Sequence, residues 1–492
     1  MTHSKQSRLI GGILLASIAL RWLLIFRGGQ YFFSDEGRYE TSRAVTNLLL
    51  KGNLHGALLQ LFTAPEHLGF KIIGLLPALA EHVTRSTLIL PALFFSLFPV
   101  WNLYLIYLIS KQDGNIGTAA DYALIFAASG MSLLYYARHL LPYDVSMTFG
   151  LLAIYFGRSA NPTRKTSLLC GGLSFVCFIT YNGYWPLAAL AMIISSLRGG
   201  SSRTIFQKGS LTALGFFLPA ILLILFAALA GINLPNEYRI FASTVSQGSF
   251  NEGWSLPFEY FWHAEHWIFA GFSLLGIYAM VSGFKEKNKV TMLWSAALIF
   301  IYLCLLIPSV LLHAFVVYGR LARQMMPFII LLAAQGLVRL ENNIRLGRTL
   351  KHILFALIVT QAVWNYRDAF GFSYPREFSM LAQAKYADFH FSEKRLAFGA
   401  PALCQNNGYV IEYAKHFATP PEVNPPIQGE VLLSAPHPDN FIPYQYEGYS
   451  YEERRYIRIM KPEMRFYKAN AEFMSDSNPV WKTMKSCVVK EN

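Results

Sequence analysis

The sequence predicts a polytopic α-helical membrane protein, and three observations carry the prediction. Of 492 residues, 54% are apolar and 14% charged, against roughly 25% charged in an average soluble chain. Apolar runs long enough to cross a bilayer recur along the first three quarters of the chain. The net charge of +13 lies in the loops on one side of those runs. Mean hydropathy is +0.33, and Phe and Tyr number 38 and 27. This composition excludes disordered, collagen-like, coiled-coil and small disulfide-framework chains, and one large soluble enzyme fits it poorly.

The runs place eleven spans near residues 9–26, 87–110, 117–136, 143–158, 167–181, 183–198, 210–231, 266–283, 291–312, 325–340 and 350–367. Together, residues 1–367 form the transmembrane module. The first run is long enough to remain in the membrane, and no small-residue cleavage site follows it. Residues 68–83 are apolar as well. Lys71 and Glu81 bracket only nine uncharged residues there, and Pro77 interrupts them. Nine residues rise about 14 Å as a helix, far short of a hydrocarbon core of about 30 Å. The segment is therefore expected to lie at the interface.

Charge bias fixes the topology. With 68–83 excluded, the loops on the N-terminal side are 1–8, 111–116, 158–166, 198–209, 284–290 and 339–351. They hold 16 of the 42 Lys and Arg but three of the 29 acids, an excess of 13 that accounts for the whole net charge. The positive-inside rule puts these loops and the N-terminus in the cytoplasm. No nucleic-acid partner is needed to explain the basic charge. The outer face then carries the loop 27–86, a turn at 137–142, the loop 232–265 and the tail 368–492. No Asn-x-Ser/Thr sequon with a middle residue other than proline occurs in the sequence, which favours a bacterial inner membrane over a secretory one.

The tail is long enough for one small domain. RLAFGA (395–400) and EVLLSA (430–435) read as strands and GYVIEYAKHF (408–417) as a helix, a small α/β extracytoplasmic unit. Cys170, Cys177 and Cys304 fall in apolar runs and read as core residues. Cys404 and Cys487 lie in the tail, in an oxidising compartment, and are expected to pair as a disulfide. No Cys/His metal spacing occurs.

Five places hold residues that chemistry could use. The first outer loop reads FFSDEGRYETSRAVTNLLLKGN over residues 32–53. Asp35 and Glu36 open a helix pattern there, where acids suit the dipole; Glu40 and Arg43 are spaced i,i+3, and Gly52 is a stop. Capping alone would also explain the two acids. In ARHLLPYD (137–144), Pro142 fits the first turn of a helix. Asp144 follows Tyr143 there, at the mouth of an apolar helix, where acids are costly and tend to be functional; a dipole-stabilised interfacial Asp is the plainer reading. Arg138 is the cation of that turn. Arg320 and Arg323, at the outer start of the tenth span, suit phosphate through their planar forks, or snorkel to the interface. Asn182 stands in an outer turn among aromatics. His263, Glu265 and His266 in FEYFWHAEHW (258–267) hint at a metal, but no third ligand run accompanies them, and an aromatic interfacial helix is the better reading.

The run Asp35, Glu36, Arg38, Tyr39, Glu40 and Arg43 after a first span resembles the large GT-C glycosyltransferases. The likeness is to the protein O-mannosyltransferase and lipid A aminoarabinose transferase branch. The turn with Arg138, Pro142 and Asp144 resembles that branch's second acidic site. TYNGYW (180–185) resembles its Asn-Gly turn, and GRLARQMMPFIILLAAQGL (319–337) its Arg-to-Pro helix. One departure stands out: where the branch usually has Lys-Pro-Pro or His-Pro-Pro, this chain reads TAPEHLGFK, so that His67 or Lys71 would take over the donor contact.

The resemblance implies a GT-C fold of about eleven spans, with interfacial helices in the first outer loop. It implies inverting transfer of a sugar from a polyprenyl-phosphate donor to a glycolipid, protein or polymer acceptor on the outer face. Asp35 would act as base or orient the acceptor, with Glu36 and Asp144 beside it. Arg138, His67, Lys71, Tyr143, Asn182, Arg320 and Arg323 would bind the donor. No cofactor or metal beyond the lipid-linked donor is required. A second reading is a transporter or flippase for a glycolipid; it would show Gly/Pro-broken helices in matching halves, and the sequence has none. A polymer-forming or oligosaccharyl-transferring enzyme is a third, though no ligand set for a catalytic metal is seen.

Overall fold

The computed structural model describes residues 3–26, 38–84, 89–113, 117–159, 163–198, 201–246, 253–314, 319–343 and 347–371, and short strands beyond them. The first outer loop folds into α2 (Tyr39–Leu50), α3 (Leu54–Phe62), α4 (Leu68–Ile73) and α5 (Leu75–Thr84), after α1 (His3–Phe26). The bundle continues with α6 (Ile89–Phe95), α7 (Leu97–Gln112), α8 (Gly117–Ser129), α9 (Tyr143–Gly157), α10 (Arg164–Thr180), α11 (Trp185–Leu197) and α12 (Ser202–Leu229). It is completed by α13 (Leu234–Ser246), α14 (Leu256–Glu265), α15 (Trp267–Lys285), α16 (Lys289–Leu306), α17 (Gly319–Ala322), α18 (Met326–Asn343) and α19 (Gly347–Gly371).

Every expected span is occupied by helix. Among the described residues, six stretches are long and apolar enough to cross a membrane: Gln6–Phe26, Ile89–Gln112, Ser202–Leu229, Trp267–Lys285, Lys289–Leu311 and Gly319–Asn342. The helices α8 to α11 are shorter, at 13 to 17 residues, or about 20–26 Å. Two expectations need correction. The run 117–136 is not one helix: α8 stops at Ser129, and short 3₁₀ turns follow at Met131–Leu133 and Tyr135–Arg138. Gly130 is extended, and the Glu265 carboxylate takes the N–H groups of Met131 and Ser132, donors that helix continuation would have used. The segment 68–83 divides at Gly74 into α4 and α5.

Local chemistry sets several starts. Thr163 and Thr166 form a reciprocal cap on α10, Ser201 accepts from Thr204 N at α12, and Asn288 accepts from Val290 N and Thr291 N at α16. Where α10 crosses α12, a Cβ on Gly171 would lie 2.0 Å from Thr212 O and one on Gly215 2.2 Å from Leu168 O. Only glycine allows this backbone approach, the small-residue packing that joins helices in lipid. The most apolar stretch of Gly319–Asn342 is buried throughout, whereas most of the corresponding stretch of α12 is not, and α12 exposes Phe217, Ile221, Leu225 and Phe226. α18 is thus the central staff of the bundle, and α12 turns an apolar face outward. A separate cluster of Ile25, Tyr39, Phe70, Ala78, Phe95 and Leu140 ties the first-loop helices to the bundle.

The basic loops gather at one end. Arg158 Nη1 lies 2.5 Å from Asp113 Oδ1, Trp294 Nε1 donates to Asp113 Oδ2 at 2.9 Å, and the Arg158 guanidinium stacks on Trp294. Gln6 bonds Asp121, Arg339 pairs with Glu286, and Lys351 with Glu341. In the tail, five short strands form an antiparallel sheet: Gln405–Asn406, Tyr409–Val410, Leu432–Ala435, Phe441–Pro443 and Arg465–Ala469. Leu432–Ala435 falls in an expected strand. Tyr409 and Val410 are strand, which corrects the helix expected over 408–417. Residues 395–400, Cys404 and Cys487 lie outside the described residues.

Candidate functional site

At the end of the bundle opposite the basic loops, the chain brings together several residues far apart in sequence. Asp144 sits in the first turn of α9, its own carbonyl held by Asn102 Nδ2 at 3.1 Å and Thr148 Oγ1 at 2.8 Å. Arg323, in the 3₁₀ turn Arg323–Met325 that leads into α18, donates from Nη2 to Asp144 Oδ1 at 2.8 Å and from Nε to Ser132 O at 2.6 Å. Its guanidinium lies 4.6 Å from the centre of the Tyr136 ring. Both members of the ion pair are buried. One guanidinium nitrogen, Nη1, is buried with no hydrogen-bond partner among the described residues.

One turn earlier, Arg320 Nη1 donates to the Tyr143 hydroxyl at 2.5 Å, and Tyr184 Oη donates to Arg320 O at 3.1 Å. Tyr143 stands edge-on to Tyr136 and to Tyr181, with centroids 5.1 and 4.8 Å apart. Tyr181 in turn stacks on His67 at 5.0 Å. His67 is buried and holds a left-handed conformation (φ 55) at the start of α4, a strained position for any residue but glycine and a frequent mark of a working site. A continuous ladder of rings and cations thus runs from His67 to Asp144. Asn182 lies in the turn that follows Tyr181, which is held by Gln324 Nε2 donating to Gly183 O at 3.2 Å.

Arg138 is fully buried in the 3₁₀ turn between α8 and α9. Lys71 is buried beside the 63–67 turn rather than in this ladder. Its Nζ donates to Ala64 O at 2.5 Å and lies 3.7 Å from Glu66. Burial pushes its ammonium below the ordinary lysine range, and the Glu66 carboxylate opposes that fall. Asp35 and Glu36 lie outside the described residues. In the helix α2 that follows them in sequence, Arg43 grips Glu81 through Nε at 2.9 Å and Nη2 at 2.7 Å, bonds Glu40 at 2.7 Å, and Tyr39 Oη donates to Glu81 at 3.0 Å. Glu81, read as the charge that keeps 68–83 out of the bilayer, is thus turned inward onto α2. Among the described residues, no group of three or more His, Cys, Asp or Glu could hold a metal.

The sequence brought Asp144, Tyr143, Arg320, Arg323, Asn182 and His67 into consideration but not what joins them. Ser132 and Tyr136 lay inside a run read as helix, and Tyr181 read as an aromatic-belt residue. Gly130 was the available sign that the run breaks. Arg21, a lone cation in the first span with no local signal of its partner, is buried and donates to Leu133 O at 3.0 Å.

No known protein-family profile matches the chain, and no curated protein matches its sequence. Its fold does match solved structures. ArnT from Cupriavidus metallidurans in the apo state superposes with a TM-score of 0.54 at 10% identity, covering 77% of this chain and 68% of that one. ArnT bound to undecaprenyl phosphate gives a TM-score of 0.52 at 12% identity, covering 80% and 71%. ArnT is a lipid A aminoarabinose transferase of the GT-C superfamily, and this chain has the GT-C fold.

Proposed function

We propose that the protein transfers a sugar from a polyprenyl-phosphate donor to an acceptor on the outer face of a bacterial cell membrane, with inversion at the sugar carbon. The observation that carries this reading is Arg323. It is fully buried, held on one side by Asp144, with Nη1 left open toward no described partner. A guanidinium so placed suits a phosphate oxygen. The fold agrees, since a structural neighbour is seen bound to undecaprenyl phosphate.

In this reading the acceptor's hydroxyl or amine attacks the anomeric carbon and its proton passes to Asp35, with Glu36 beside it. The bond from that carbon to the phosphate oxygen breaks, and polyprenyl phosphate leaves. Arg323 and Arg320 stabilise the charge that develops on the leaving oxygen. Asp144 holds Arg323 and Tyr143 holds Arg320. His67, Arg138 and Asn182 complete the donor site, while Lys71 stays on Ala64 O and Glu66 beside it. The N-terminus and basic loops face the cytoplasm, and residues 368–492 form an external domain.

The test is transfer of radiolabelled sugar from polyprenyl-phosphate donors by purified protein. Asp35→Asn is expected to lower the rate about 10²–10⁴-fold, and Arg323→Lys to lower it too, because the planar fork is lost. Wild-type rates in both folded variants would overturn the assignment. Label that crosses vesicle membranes with no covalent product would point to a flippase instead.

A further inference from the structure

Arg323 is itself held in place from outside the site. Its Nε donates to Ser132 O, and Ser132 is held in turn by Glu265, the last residue of α14. Glu265 is fully buried. Its Oε2 accepts from Met131 N at 2.7 Å, and its Oε1 accepts from Ser132 N at 2.7 Å and Ser132 Oγ at 2.6 Å. Both carboxylate oxygens are thus spent on one turn of three residues. Arg21 Nη2 takes the next carbonyl of that turn, Leu133 O, at 3.0 Å. Residue 132 therefore gives its N–H and hydroxyl to an anion on α14 and its C=O to the cation at the head of α18.

The placement of Glu265 is itself constrained. Asn365 Nδ2 donates to its backbone carbonyl at 3.4 Å. The following residue, His266, adopts φ 53 and ψ −129, a region that residues with a Cβ rarely enter and that surrounding structure must enforce. This break between α14 and α15 leaves Glu265 against the turn. The same helix reaches the other arginine segment. A Cβ on Gly319 would lie 2.1 Å from Tyr260 Cδ2, so the Tyr260 ring rests on the backbone beside Arg320. α14 thus abuts both the turn that holds Arg323 and the segment that carries Arg320.

We infer that Glu265 is a positioning residue for phosphate recognition, acting on Arg323 through the Met131–Leu133 turn. The inference rests on the proposed donor-binding role of Arg323. A carboxylate is required because all three groups that face it donate. An amide would turn an NH₂ against at least one of those donors, and the turn would have to shift, carrying Ser132 O with it.

The experiment is a double-mutant cycle read by binding of undecaprenyl phosphate to the purified full-length protein, with sugar transfer measured alongside. Glu265→Gln alone is expected to weaken binding about 10-fold, the worth of roughly one charge-assisted hydrogen bond. In an Arg323→Lys background, which already lacks the Nε donor, the same change is expected to cost less than about 2-fold, because neighbours in one network are not additive. A contribution to folding alone would multiply the two losses, and that result, or wild-type binding by Glu265→Gln, overturns the inference. If Glu265→Gln fails to fold, Ser132→Ala removes one of the three donors and should show the same non-additivity on a smaller scale; additive losses there would overturn it equally. Binding without sugar transfer would sink the transferase reading while the cycle still decides the role of Glu265. No binding by the wild type would sink both.

Discussion

Replacing Asp144 by Asn removes the counter-charge of a buried guanidinium while keeping size, shape and one acceptor. The Arg323 Nη2 to Asp144 Oδ1 separation is 2.8 Å, so the gross Coulomb attraction is about 6 kcal/mol at an effective dielectric constant near 20. Desolvation offsets much of that in the intact pair. It does not offset the loss of one partner, which leaves an uncompensated buried charge and costs about 3–5 kcal/mol. Asn retains a side-chain acceptor, and the backbone carbonyl of residue 144 still accepts from Asn102 and Thr148, so a loss near the lower end is expected. Thermal unfolding of the purified protein in detergent should show a clear fall in melting temperature. The double variant Asp144→Asn with Arg323→Gln removes the orphaned charge as well. It should melt no lower than Asp144→Asn alone, with a coupling of about 2 kcal/mol, and still fail to bind the lipid phosphate. Wild-type melting of Asp144→Asn, or strictly additive losses in the double variant, would refute the argument that this ion pair holds the site.

How much of this was legible in the sequence depends on the range over which each signal acts. Span positions follow from apolar run length alone, and each expected run contains a helix. The i,i+3 spacing of Glu40 and Arg43 is a local signal, and the two are 2.7 Å apart. Asp144 stood out because an acid at the mouth of an apolar helix is costly, and Arg323 because two cations stand at the start of an apolar span. Their pairing across 179 residues had no local trace. The turns that follow α8 were hidden for a related reason. MSLLYYA reads as continued helix, and what stops it is a carboxylate more than 130 residues away. That carboxylate, Glu265, looked like part of an aromatic interfacial helix with a faint metal signal. Nothing nearby in sequence shows that its partners are backbone amides.

Three further outcomes are expected. Glu81→Gln should lower the melting temperature, since Arg43 and Tyr39 both donate to that carboxylate in a buried setting; unchanged melting would show that the first-loop layer does not depend on it. Lys71 has a folded-state pKa below its ordinary value of 10.5, chiefly through burial. The unfolded chain then binds more protons between the lowered value and 10.5, so stability relative to Lys71→Met should rise with pH across that window; a fall would contradict the burial argument. Reporter fusions after residues 113, 203 and 287 should read cytoplasmic and one after residue 400 external, and a cytoplasmic reading from the tail would overturn the interfacial placement of 68–83.

The measurement that bears most directly on the account is a structure of the purified protein with undecaprenyl phosphate. The phosphate is expected within hydrogen-bonding distance of Arg323 Nη1, at about 3 Å, at the end of the bundle that carries Asp144 and Tyr143. A phosphate seated instead among Arg158, Arg339 and Lys351 at the opposite end, or one that leaves Arg323 untouched, would contradict it.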